Sequence, residues 1–155
     1  MIERGLMIAY VGPVVVVRIE EWVPPSSVDR YMDEFVRGID IRRPDTRAAA
    51  LYDVPTWTGA TSMRRRQWAR LLAEREDVLR RTTKAWALRT ESPLVRGMLK
   101  AIHWIQPPPY PHAVVGTHRE AFEFIHRYMP EVDPGTYTER YHELLRKNAD
   151  RLRHG

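Results

Sequence analysis

The chain has 155 residues, a formal net charge of +5 and no cysteine. This length is enough for one domain with its own hydrophobic core, and the missing thiols exclude disulfide bonds, thiolate zinc sites and cysteine nucleophiles. The 25 basic residues are interleaved with 20 acidic ones, so charge alone does not favour a nucleic-acid partner. Because no apolar run approaches the ~20 residues of a membrane span and the first residues lack the layout of a signal peptide, we expect a cytoplasmic protein with no membrane span.

The first half of the chain predicts a hairpin followed by a buried strand. Leu6–Val11 and Val14–Ile19 are rich in residues that favour strands and flank a Gly-Pro pair, which is typical of a tight turn. Residues 47–54 form a short apolar run of the kind found in a strand that is covered on both faces. We expect this strand to lie in the centre of a sheet.

Helices are predicted by apolar residues at helical spacing and by signals for helix starts. Ser26, Thr117 and Thr136 each stand three positions before an acidic residue, which is the spacing of a capping box. Ser92 followed by Pro93 is another start signal, an N-cap residue before a proline. The predicted helices occupy residues 26–38, 62–81, 92–105, 117–129 and 137–152, with further strands at 84–89 and 112–116.

This order of elements predicts an α/β fold, because strands that alternate with helices usually form a sheet with helices packed on it. We expect a mixed, mostly parallel sheet of about five strands with helices on its faces, plus an extra C-terminal helix. The pattern divides the chain into a domain over residues 1–129 and a helical extension over residues 130–155. A single helix of this length is only marginally stable, so we expect the extension to pack on the domain or on a partner.

The order of elements and two short segments resemble the STAS domain, the fold of anti-sigma-factor antagonists, and the related SEC14-like bacterial domains. Residues 92–97 (SPLVRG) and 112–115 (HAVV) are similar to a motif in bacterial members of that group. The resemblance covers residues 6–129 and implies a STAS-like arrangement of sheet and helices. Because one fold serves many functions, it implies the architecture more strongly than the activity.

The same resemblance implies a position for a phosphorylated or partner-binding serine. In anti-sigma-factor antagonists a phosphorylatable serine follows an aspartate at the start of the second helix. Ser62 occupies the serine position here, whereas Thr61 replaces the aspartate and Met63 replaces the glycine that follows. The resemblance therefore implies a phospho-acceptor-like or partner-binding role for Ser62 and Thr61.

Three arginines follow directly, at Arg64, Arg65 and Arg66, in the first turn of the predicted helix. Cations are unfavourable there, because the helix dipole places partial positive charge at this end. Free backbone N–H groups together with three guanidinium groups would bind an anion such as a phosphate or an acidic loop of a partner. The alternative is a solvated basic face on an arginine-rich protein.

A stripe of small residues beside a tryptophan predicts an interface on the helix expected at residues 92–105. Gly97, Ala101 and Trp104 recur at helical spacing about 100° away from the core-facing residues of their helix. Small residues next to a tryptophan permit the close approach of a partner surface. The alternative is that the C-terminal helix of the same chain covers this stripe.

Two Glu-x-x-His spacings occur, at Glu123 and His126 and at Glu139 and His142, a pattern also found in metal-binding helical bundles. At about 100° per residue, both pairs lie away from the apolar stripe of their helices, so we expect them to point outward and predict no metal site. The sequence contains neither a glycine-rich phosphate-binding loop nor a nucleophile elbow, so we predict no cofactor.

His112 and His118 flank the last predicted strand, and Asp53 closes the strand predicted to be central. Ligand sites of α/β proteins lie at such strand ends, so the two histidines are candidates to pair with Asp53. Since no nucleophile accompanies them in the sequence, we interpret the histidines as structural and assign no catalytic residue.

We interpret the sequence as that of a non-enzymatic regulatory or protein-interaction domain of STAS-like fold, which acts through the helical face that begins at Ser62. The alternative is a small-molecule or lipid-binding module of SEC14-like type, with a pocket between sheet and helices. Under the first hypothesis we expect a protein partner, and we also weigh a homodimer to which the C-terminal helix contributes.

Overall fold

A computed structural model describes residues 1–20, 23–56, 62–105 and 107–154. For helix residues 25, 62–65, 67, 68, 98, 101, 102 and 105 the description covers the backbone only. Among the described residues, no helix has both the length and the apolar character that crossing a bilayer requires.

Within the described residues, six strands form one sheet and lie in it in sequence order. The strands are β1 (Ile2–Glu3), β2 (Leu6–Val11), β3 (Val14–Ile19), β4 (Ala48–Asp53), β5 (Thr83–Arg89) and β6 (His112–Val115). The pairs β1–β2 and β2–β3 are antiparallel, and the remaining three pairs are parallel. The predicted mixed, mostly parallel sheet with a central β4 is therefore present, with the short strand β1 added at its edge.

Seven helices occur in the described parts of the chain. They are α1 (Pro25–Asp40), α2 (Ser62–Glu74), α3 (Glu76–Thr82), α4 (Pro93–Ile105), α5 (His118–His126), α6 (Pro134–Lys147) and α7 (Ala149–His154). The single helix predicted over residues 62–81 is thus two helices, because the backbone leaves helical geometry at Arg75. The single C-terminal helix is likewise interrupted, at Asn148.

The capping predictions differ in outcome. Thr117 caps α5 in a capping box with Glu120, as predicted. Thr136 was the wrong cap for α6, since Asp133 accepts a hydrogen bond from the backbone N–H of Thr136 at 2.8 Å and Pro134 begins the helix. The box predicted at Ser26 is also wrong, because α1 begins at a proline without a side-chain cap. Both α1 and α6 begin at a proline that precedes the predicted capping residue, because the φ angle of proline is fixed near the helical value.

The sheet has a core on each of its faces. On one face, α5, α6 and α7 bury their apolar residues against alternate residues of β2 to β5. On the other face, α1, α2 and α4 pack against the intervening residues. The helices that connect neighbouring parallel strands lie on this second face. The reason is that each crossover is right-handed and the strands follow one another across the sheet in one direction. The 130–155 extension packs on this chain's own sheet, where Tyr137, Tyr141 and Leu152 are buried.

Candidate functional site

Three neighbouring strands carry a charged residue at or next to their last position, at one edge of the sheet. Arg18 on β3 lies in register with Asp53 on β4, and Asp53 lies in register with Arg89 on β5. Parallel strands in register turn these side chains to the same face, which is the face covered by α5 and α6. The carboxyl edge of the parallel strands therefore carries a carboxylate between two guanidinium groups.

Asp53 is completely buried and accepts hydrogen bonds from four side chains. Its Oδ2 accepts from His118 Nε2 at 3.0 Å, from the Tyr141 hydroxyl at 2.6 Å, and from Arg18 Nη1. Its Oδ1 accepts from Arg89 Nη1 at 3.2 Å. We call Arg18, Asp53, Arg89, His118 and Tyr141 the Asp53 network. It joins three strands to α5 and α6 through one carboxylate.

The network holds Asp53 in its charged form. Burial by itself would raise the pKa of the Asp53 carboxyl, but the hydrogen bond from His118 and the charge of Arg18 lower that pKa well below its usual range. Burial and the neighbouring Asp53 carboxylate together raise the pKa of the Tyr141 phenol well above its ordinary value. Tyr141 therefore stays a neutral donor and Asp53 an anionic acceptor at physiological pH.

Two further acids balance the arginines. Glu20, itself buried, accepts from Arg18 Nε at 2.6 Å, and Glu91 pairs with Arg89 at the surface. Each arginine of the Asp53 network thus bridges Asp53 and an outer carboxylate. Buried charges need such complete pairing because an unpaired one would carry a large desolvation penalty.

His118 uses both of its ring nitrogens within the chain. Its Nε2 contacts Asp53, and its Nδ1 lies 2.9 Å from His142 Nε2 on α6. Burial, followed by the electrostatic interaction with the neighbouring His118 ring, lowers the pKa of His142, so that His142 is neutral at physiological pH. The pairing of His118 with Asp53 considered from the sequence is present, whereas the prediction that His142 points outward is wrong, because it faces α5.

The other histidines and acids of the sequence motifs have separate partners. His112 Nδ1 lies 3.1 Å from the carbonyl of Tyr110, away from Asp53. On α5, Glu123 pairs with Arg119, and His126 Nδ1 lies 3.0 Å from the carbonyl of Val132. In the part of the chain that the structure describes, no three His, Asp or Glu side chains are arranged to hold a metal ion.

A second feature lies on the opposite face of the sheet, where α4 runs beside β6. Trp104 is 88% exposed there, and a side chain added at Gly97 would meet no described atom within 4 Å. The C-terminal helices do not cover this region, since α6 and α7 pack on the other face of the sheet. Of the predicted interface residues, Gly97 and Trp104 are therefore open to solvent, and the side chain of Ala101 lies outside the described residues.

A groove of about 340 Å³ separates α4 from β6. Residues of the helix line one side and residues of the strand the other: Lys100, His103, Trp104, His112, Ala113 and Val114. Together with Gly97 these residues are called the α4–β6 face. At its floor the ring of His103 packs between Trp86 and His112, with centroid separations of 5.7 and 4.6 Å.

The environment of His103 predicts a pH dependence of stability. Burial and the nearby His112 lower the pKa of His103 to about 4, below its ordinary value of 6.5. Between these two pH values the unfolded chain binds more protons at His103 than the folded chain does. The contribution of this group to the free energy of unfolding is therefore complete above pH 6.5 and is lost as the pH falls toward 4. Lowering the pH from 7 to 5 should therefore cost about 1 kcal/mol at this residue, since partial exposure reduces the full effect.

Thermal melting at pH 7 and pH 5 measures this loss. His103→Phe should reduce the pH dependence by the part that His103 contributes, because an aromatic ring stays and the titrating group is removed. His154→Gln, at an exposed position of α7, is the matched control and should leave it unchanged. An equal pH dependence in the wild-type and His103→Phe proteins would contradict the assignment.

The residues predicted at the start of α2 are only partly within the described structure. Thr61 lies outside it, and Ser62, Arg64 and Arg65 belong to α2 with the backbone described. Arg66 is exposed. The phospho-acceptor-like role and the anion site both remain predictions.

Arg18, Arg89 and Tyr141 were not identified from the sequence as site residues. A signal for the first two was present, since each of three β-rich runs carries a charged residue at or next to its last position. Tyr141 was assigned to an apolar stripe, and only the packing of α6 on the sheet brings its hydroxyl to Asp53.

Comparisons of the chain with protein-family models, with curated proteins and with solved structures each found no match. Two features of the described residues bear on function: the Asp53 network, which is enclosed, and the α4–β6 face, which is open.

Proposed function

We propose that the chain is a cytoplasmic, non-enzymatic protein-interaction domain of STAS-like fold that binds a protein partner through the α4–β6 face. The observation that carries this proposal is the exposure of Trp104, at 88%. Tryptophan is costly to leave in water and is among the residues that contribute most at protein interfaces. A tryptophan held outward on a regular helix is therefore best explained by a partner that covers it.

The surroundings of Trp104 support the same conclusion. Leu94, on the same helix, is 75% exposed, so α4 presents large apolar side chains to solvent while others pack against the sheet. Gly97 leaves open space between them, which permits a partner to approach the helix closely. The resemblance of residues 92–97 and 112–115 to STAS-like domains adds support, because these segments begin α4 and form β6.

The Asp53 network supports the non-enzymatic part of the proposal. A general base needs a nitrogen or oxygen free to take a proton from a substrate. Both ring nitrogens of His118 and both oxygens of Asp53 are engaged by side chains of this chain. The network is best explained as a link that fixes α5 and α6 to the sheet.

Site-specific photocrosslinking tests the proposed face in the cells from which the chain comes. The photoreactive residue p-benzoylphenylalanine replaces Trp104 in one variant and Tyr10 in another, since Tyr10 is similarly exposed, at 77%, on β2. We expect a discrete heavier adduct from position 104 and none from position 10. Trp104→Ala should leave the melting temperature nearly unchanged, because exposed side chains contribute little to folding.

Equal labelling at both positions, or no adduct at position 104, would overturn the proposal. An adduct of twice the mass of the chain would show that the partner is a second copy of this chain and not a different protein. Mass spectrometry of the excised band distinguishes these results.

A further inference from the structure

We infer that the partner supplies an extended acidic segment, which adds to the sheet as a further strand beside β6. This inference rests on the proposed function and names the partner's chemistry. Main-chain pairing with β6 would provide the binding mode, and the α4–β6 face would receive the side chains.

The hydrogen-bond register leaves one side of β6 available for pairing. Trp86 N–H donates to the carbonyl of Pro111 at 2.9 Å, and Thr90 N–H donates to that of Val115 at 3.1 Å. In a parallel pair only alternate residues turn their main-chain groups toward the neighbour. The N–H and C=O groups of His112 and Val114 therefore point away from β5, and β6 is the last strand of the sheet in the described chain.

The opposite edge of the sheet is closed. β1 has only two residues, α7 packs against it, and Gly5 N–H donates to the carbonyl of Leu152 at 2.9 Å. Proteins commonly protect an edge strand in this way, with a short strand and a covering element. The two edges thus differ: one is covered by the chain's own C-terminal helix, and the other borders a groove.

The charge of this region selects an acidic partner. The six residues that line the groove include no aspartate or glutamate, and Lys100 carries a permanent positive charge at an exposed position of α4. An acidic side chain of a bound segment would therefore meet complementary charge at Lys100.

The same charge argues against a second copy of this chain. Pairing of two β6 strands across a two-fold axis would place two grooves of the same composition beside each other, and neither would offer a carboxylate to the Lys100 of the other. A nucleic acid is also anionic, but Lys100 is the one permanently charged side chain among those lining the groove. A peptide uses the strand edge and the apolar Trp104 and Val114 as well, so the observations favour it.

Selection of random heptapeptides displayed on phage against the full-length chain tests the inference. We expect enriched peptides to combine acidic with β-branched residues. Synthetic, fluorescently labelled copies of the enriched peptides then give dissociation constants by anisotropy for the wild-type chain and for variants.

Val114→Pro removes an outward N–H and should weaken binding about fivefold, the equivalent of one lost hydrogen bond. An edge strand tolerates proline where the N–H faces away from the sheet, and Val114→Thr, which keeps the N–H, is the matched control and should bind as the wild type does. Lys100→Glu, at an exposed position, should weaken binding about tenfold by reversing the charge. Lys147→Glu makes the same substitution at an exposed position of α6, on the other face of the sheet, and should have no effect.

Enriched peptides without acidic residues, binding that Val114→Pro and Val114→Thr weaken equally, or no enrichment at all would each overturn the inference. So would a single-stranded oligonucleotide that binds more tightly than the peptides and is lost with Lys100→Glu. A crosslink from position 104 that forms in equal yield in the Val114→Pro and Val114→Thr backgrounds would also overturn strand addition while leaving the proposed function intact.

Discussion

Replacing Asp53 with asparagine is expected to lower the free energy of unfolding by about 3–5 kcal/mol. The substitution keeps the shape of the side chain but removes the charge that Arg18 and Arg89 share. It also places an amide N–H₂ among four donors, so that at least one donor loses its acceptor in a buried site. Urea denaturation of both proteins at pH 7 measures the difference.

Asp150→Asn is the matched control, since the side chain of Asp150 is 94% exposed. It should change the free energy of unfolding by no more than about 0.5 kcal/mol. A loss below about 1 kcal/mol for Asp53→Asn would show that the buried carboxylate does not hold the arginines in place.

The acid limb of the stability curve provides an independent check. The pKa of Asp53 is lower in the folded state than its ordinary value of 3.8, so its contribution is complete above that value and is lost as the pH falls below it. Asp53→Asn should therefore show a smaller loss of stability than the wild-type chain at such low pH.

The strands were predicted from the sequence more accurately than the helix ends. The two hairpin strands have the predicted bounds, because two runs of strand-favouring residues separated by a Gly-Pro pair indicate both the strands and their antiparallel pairing. The helix predicted over residues 62–81 carried no proline or glycine at its break, so local sequence did not indicate the interruption at Arg75. There, Arg75 forms an ion pair with Asp40 at the end of α1, at 2.9 Å, which is a tertiary contact.

The candidate site was predictable only in part, for a related reason. The pairing of His118 with Asp53 followed from strand ends that meet at one edge, a rule of the fold class. The positions of Tyr141 and His142 depend on how α6 lies across the sheet, and a helical wheel alone turned His142 outward. Periodicity identifies which side of a helix is apolar. Contacts made by residues at the border of that side can be predicted only once the packing of the helix on the sheet is known.

Truncation of the chain after Pro134 is expected to abolish the cooperative folding of the monomer. It removes α6 and α7 and uncovers the apolar face that they share with α5 and the sheet. Tyr137 and Tyr141 are buried there, and loss of one large buried aromatic side chain typically costs about 3–5 kcal/mol. Two such losses are comparable to the whole stability of an ordinary domain of about 5–15 kcal/mol.

The deletion also removes a donor to Asp53 and the contact of His118 with His142, so the Asp53 network loses its link to the C-terminal helices. Light scattering should show aggregation, and thermal melting should show no cooperative transition. A chain that ends at Leu152 is the matched control, because it keeps this buried leucine and loses only exposed residues of α7 among those the structure describes. If truncation after Pro134 left both the mass and the melting temperature unchanged, α6 and α7 would contribute nothing to the fold.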